Sequence, residues 1–110
     1  ATRFTRATVP YVRVTGQKVA DNWTDLTDGT LDNNIRIDEN GLVPLTNSVY
    51  TNVNTDGTQK SAAATAHCSD WTGGGTDGNN GNRTSSTSTW TDSGTVGTCL
   101  AVHNIYCFEQ

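Results

Sequence analysis

Three cysteines, Cys68, Cys99 and Cys107, fall within the last two fifths of a 110-residue chain that has little else from which to build a core. Val, Leu, Ile and Phe supply about one residue in six, and a domain of this size buries a smaller share of its surface than a larger one. Thr, Asn, Ser and Gly fill nearly half of the positions. In a small, polar, loop-rich domain, disulfides are the expected compensation for a thin core, and they imply an extracellular or periplasmic setting. An odd count leaves one cysteine whose partner lies outside the chain.

Charge removes several classes. Seven basic and eleven acidic residues give a net charge of −4, and only 16% of positions are charged, too few for a disordered polyelectrolyte. No cluster of Lys or Arg exists to follow a phosphate backbone, so nucleic acid is not the expected partner. No apolar run approaches the roughly 20 residues that span a bilayer. The chain opens Ala1-Thr2-Arg3, with neither Met nor a signal-peptide core, as expected after removal of a leader or for a piece of a longer protein.

Local patterns predict short elements. Residues 8–15 alternate apolar and polar around Val12 and Val14, which reads as a strand entering a turn at Gly16. Residues 21–29 read as one brief helix: Asp21 or Asn22 caps it, Trp23 and Leu26 share a face, and Gly29 ends it. Turns are expected at Glu39-Asn40-Gly41 and at Asn54-Thr55-Asp56-Gly57, with a strand over Val49–Val53. The stretch from Gly73 to Ser88 has no apolar residue and reads as surface loop. Two more strands are expected, one around Trp90 and one from Leu100 to Phe108. Trp23 and Trp71 read as structural, and Trp90, bordering the polar loop, as the tryptophan that reaches the surface.

The order of motifs from His67-Cys68-Ser69-Asp70-Trp71-Thr72 through a Gly-rich loop, Trp90, Cys99 and the closing Ile105-Tyr106-Cys107-Phe108-Glu109-Gln110 resembles the bacterial endostatin-like domains. Upstream, Phe4-Thr5-Arg6-Ala7-Thr8-Val9-Pro10, Asn22-Trp23-Thr24-Asp25-Leu26-Thr27-Asp28-Gly29 and Val49-Tyr50-Thr51-Asn52 before Asp56-Gly57 agree in order, so the resemblance runs along essentially residues 1–110 as one domain. It implies an α+β, C-type-lectin-like fold of short antiparallel strands, one short helix and long loops, stapled by a disulfide. It also implies that Cys68 pairs with Cys99, nested inside a bridge from Cys107 to a cysteine on an opening strand–helix segment. Closing the loop of about 31 residues between Cys68 and Cys99 contributes about 3–4 kcal/mol in the chain-entropy model. The opening segment has no counterpart in this sequence. The expectation is therefore that another chain or fragment supplies it, joined through Cys107; a free or intermolecular Cys107 is the alternative.

Several chemistries compete with simple binding. Cys99, His103 and Cys107 stand four residues apart, but on a strand rising ~3.3 Å per residue neighbouring members would be about 13 Å apart, too far to share zinc. Trp90-Thr91-Asp92 echoes the Trp-Asn-Asp element of calcium-type lectins, yet Thr replaces Asn and no Glu-Pro-Asn or Gln-Pro-Asp accompanies it. Hard cations need several clustered oxygens. Asp21, Asp25, Asp28, Asp32 and Asp38 lack EF-hand spacing. His67 and Asp70 suggest a hydrolytic cluster, but no nucleophile has a privileged setting and no catalytic motif occurs. No catalytic residue, metal or cofactor is assigned, with calcium as the alternative.

The resemblance then implies a secreted or cell-surface, non-enzymatic binding domain of the adhesin kind, taking a host or extracellular protein or a glycan. Arg83, Trp90 and Asp92, beside the polar loop, are the expected ligand-binding residues, since an aromatic anchor with hydrogen-bonding neighbours suits such ligands. A structural subunit of a secreted or surface assembly is the second expectation, and a calcium-dependent lectin the third.

Overall fold

The computed structural model describes residues 6–63, 67–72 and 77–108, apart from the side chains of Asp70 and Trp71. It is an α+β structure with two antiparallel sheets and the Cys68–Cys99 disulfide formed. The elements in order are β1 (Tyr11–Val12), β2 (Lys18–Ala20), α1 (Trp23–Leu26), β3 (Ser48–Tyr50), α2 (Cys68–Trp71), β4 (Gly78–Asn82), a 3-10 helix (Ser88–Trp90) and β5 (Thr95–Gly97).

The first half follows its local signals. Gly16, at φ 82°, turns β1 into β2, and the amides of Gly16 and Arg13 donate across the turn to Arg13 O and Gln17 O. The pairing sets Tyr11 opposite Ala20. Asn22 caps α1 as the sequence predicts, its Oδ1 accepting from the amides of Thr24 (2.9 Å) and Asp25 (3.2 Å). Leu26 then faces inward with Val19, Ala20, Leu31 and Trp90, and Tyr11, Trp23, Ile35, Tyr106 and Phe108 pack around this cluster. The expected turns at Gly41 and Gly57 form, both in the left-handed region.

The second half departs from its signals. The stretch from Gly73 to Ser88, expected to be loop throughout, contains β4, the central strand of the sheet β3-β4-β5. Four of its five residues, Gly78, Asn79, Asn80 and Gly81, are buried. Glycine and asparagine are depleted from strands because they offer little side chain to pack; here that poverty is what the packing requires. A Cβ placed on Gly81 would lie 2.0 Å from the carbonyl oxygen of Trp90, and one on Gly78 would lie 2.9 Å from the Tyr50 ring and 3.0 Å from Cys68 Sγ. Buried amides need partners, and Asn79 Nδ2 donates to Asn52 Oδ1 at 3.0 Å.

Two other strand expectations are corrected. Trp90 lies in a 3-10 helix, and the strand is Thr95–Gly97, antiparallel to β4. Residues 100–108 are not a strand. They touch β3 through a single parallel bridge, where Tyr50 N donates to Asn104 O (3.0 Å) and Asn104 N to Ser48 O (3.2 Å). Val102 is 88% exposed, as an uncovered edge leads one to expect, but Tyr106 turns inward onto Trp90. No helix among the described residues is long and apolar enough to cross a membrane.

Candidate functional site

The three residues expected to bind ligand do not form an exposed cluster. Arg83 is only 4% exposed. Its guanidinium donates from Nε to Thr46 O (2.6 Å), from Nη1 to Arg36 O, and from Nη2 to Pro44 O (2.7 Å) and Asn47 Oδ1 (2.9 Å). One side chain thus gathers the segment 36–47 onto the end of β4. Trp90, expected at the surface, is 5% exposed. Its ring centroid lies 5.4 Å from that of Tyr106, whose hydroxyl donates to Trp90 O at 2.9 Å. The cause of the correction is Gly81, which lets the Trp90 backbone approach β4 closely and carries the indole inward. Asp92 is half-buried and committed: Oδ1 accepts from Lys60 Nζ at 2.6 Å and from Gly94 N at 2.9 Å. The Lys60 hydrogen bond holds the Asp92 carboxyl below its ordinary range.

The residues weighed for metal binding are committed to other partners. Trp90 and Thr91 are buried and Asp92 is ion-paired, so the lectin-like tripeptide presents no open ligand set. Cys99 is spent in the disulfide, and the His103 ring packs on Tyr50 at 4.3 Å, which removes the Cys99–His103–Cys107 grouping. Asp21, Asp25 and Asp32 bring one carboxylate oxygen each within 4.8 Å of one another. Lys18 Nζ already sits among them, 2.6 Å from Asp21 and 2.8 Å from Asp32, and those two carboxylates raise the Lys18 pKa. His67 is buried, and the Asp70 side chain lies outside the described part.

What the structure does bring together is an open cleft of about 710 Å³ between the N-terminal ribbon, the segment 35–44 and the C-terminal segment. Three features meet there. Val9, Val12, Val14 and Ile105 line it while remaining 60–69% exposed. The backbone of Ile105, Tyr106 and Cys107 has no hydrogen-bond partner among the described residues, since the bridge to β3 stops at Asn104. The Cys107 thiol, free and exposed, lies on the same wall. The valine alternation read from the sequence as a strand face is therefore real, but Val12 and Val14 face the cleft instead of the core. That alternation and the odd cysteine were the two sequence signals for this site.

Burial pushes the Tyr106 phenol above its ordinary range, against an opposing pull from the positive charge of Arg83. Arg13, on the opposite wall, donates to Asn34 O, Asn34 Oδ1 (2.7 Å) and Gln17 Oε1. Its pKa is lowered, first by burial and then by neighbouring Arg36.

Comparison of the chain with protein-family models, with curated proteins and with solved structures finds no match to any of them.

Proposed function

We propose that the chain is a non-enzymatic, extracellular or cell-surface binding domain of the endostatin-like, C-type-lectin-like kind, and that the cleft beside Cys107 receives a polypeptide segment held through that thiol. The observation that carries this reading is the meeting, in one cleft, of exposed valines, unpaired backbone and a free thiol. An extended segment would use all three: its alternate side chains cover the valines, its amides pair with residues 105–107, and a cysteine closes the bridge. The oxidised Cys68–Cys99 pair agrees with a compartment in which such a bridge persists. A glycan ligand is less well supported, because the indole that was to serve as its platform is buried.

Intact mass tests the reading. The protein is isolated from its source with thiols alkylated at lysis. The expected result is a species that loses the mass of a second polypeptide on reduction, with Cys107 as the bridged residue in peptide maps. A mass that reduction leaves unchanged would sink the covalent partner. The second reading, a structural subunit of an assembly, draws on the exposure of Leu45, Leu100 and Val102 away from this cleft. A large homo-oligomer with no mass change on reduction would favour it.

A further inference from the structure

The cleft carries an electrostatic feature that its apolar walls do not explain. Arg83 lines it, yet the residue is only 4% exposed, and no carboxylate among the described residues pairs with it. Its charge is met only by three carbonyl dipoles and one amide oxygen. These occupy four of the five N–H groups that a guanidinium offers, leaving one on Nη1 unengaged. A buried charge without a counter-ion is expensive unless something neutralises it. Arg13 adds a second positive group on the facing wall, likewise paired only with amide and carbonyl oxygens. Two carboxylates also reach the cleft, Asp38 and Glu39, but neither pairs with an arginine. Asp38 Oδ1 is held by its own turn, accepting from Asn40 N and Leu42 N.

We infer that the segment received by the cleft carries a carboxylate, flanked by apolar residues, that pairs with the guanidinium of Arg83. The inference rests on the polypeptide-binding reading and specifies its ligand: an acidic, otherwise apolar, extended peptide. Guanidinium–carboxylate pairing is the strongest hydrogen-bonded match available to that side chain, and it gains from the surrounding apolar walls. An apolar peptide without the acid would cover the valines and leave the charge unmet.

Removing Arg83 would also release the segment 36–47, so the charge is varied on the ligand. Two heptapeptides, Val-Thr-Val-Glu-Val-Thr-Val and its Gln counterpart, are titrated into the intact protein by calorimetry. The Arg83 Nε–H resonance is followed in parallel. The expected result is about tenfold tighter binding of the Glu peptide, with the Arg83 resonance moving for that peptide and little for the other. Equal affinities would overturn the carboxylate while leaving a cleft that binds polypeptide. Absence of binding by both would overturn the cleft reading together with the inference. Glu-selective binding that leaves the Arg83 resonance still would assign the acid to another cation and overturn the assignment to Arg83.

Discussion

Gly81→Ala is expected to destabilise the protein by about 3 kcal/mol or more, the upper end of what overpacking a core does. The added Cβ would lie 2.0 Å from Trp90 O and 2.8 Å from Trp90 C. Both are backbone atoms, so no side-chain rotation relieves the contact. Either β4 leaves the sheet or the 3-10 helix moves off it, and the second displacement pulls the indole from the core. For a domain of this length the corresponding fall in melting temperature is roughly 12 °C or more. Gly94→Ala is the control: nothing lies within 4 Å of its Cβ position, and its φ of +71° alone costs about 1–2 kcal/mol. Melting curves that place Gly81→Ala at or above the Gly94→Ala temperature would mean that β4 is not packed as described.

Arg83→Met should have a comparable or larger effect, about 3–5 kcal/mol by urea denaturation, for a different reason. Methionine fills part of the volume, but the carbonyls of Arg36 and Pro44 lose their donor together, while Thr46 O keeps only Asn104 Nδ2. Each of these half-buried bonds to a charged donor contributes about 1.5–3 kcal/mol. The segment 36–47 has no regular secondary structure before Asn47, so the guanidinium is the main tie between it and β4. A loss below about 1 kcal/mol would show that solvent serves those carbonyls and that Arg83 does not organise this wall of the cleft.

What the sequence made legible was local. Asn22 as a cap, Trp23 and Leu26 on one face, and glycines at 16, 41 and 57 each specify their conformation within a few residues, and each is found. The Cys68–Cys99 pairing, implied by resemblance, is also found. The central strand was illegible because nothing local specifies it. Gly78-Asn79-Asn80-Gly81-Asn82 has no alternation and no β-former, and its burial arises from the Tyr50 ring, Cys68 and the Trp90 backbone closing on it from distant parts of the chain. The opposite error befell Leu100 to Phe108, where apolar content suggested a strand. Lying alongside β3 only at Asn104, the segment leaves Leu100, Val102 and Ile105 exposed.

The candidate site divides in the same way. Arg83, Trp90 and Asp92 were selected for proximity to a loop; once β4 replaces part of that loop, Arg83 becomes a tie, Trp90 a core residue and Asp92 half of an ion pair. The odd cysteine, by contrast, was a global count that needed no fold, and Cys107 is free and exposed. The valine alternation was a correct period with the wrong destination, since periodicity identifies an apolar face without saying what covers it.

The central claim, that the cleft guides a polypeptide to Cys107, is tested most directly by the rate of thiol–disulfide exchange there. Two peptides of equal length, one alternating Val with Thr and one of Gly and Ser, each carry a single cysteine activated as its disulfide with 2-nitro-5-thiobenzoate. The Cys107 thiolate attacks the peptide sulfur, forms the mixed disulfide and expels the coloured thiolate, so the reaction reports its own rate. Docking in the cleft raises the local concentration of the attacked sulfur. The account predicts that the Val peptide reacts about thirtyfold faster and that its rate saturates with concentration; equal rates, both linear in peptide, would contradict it.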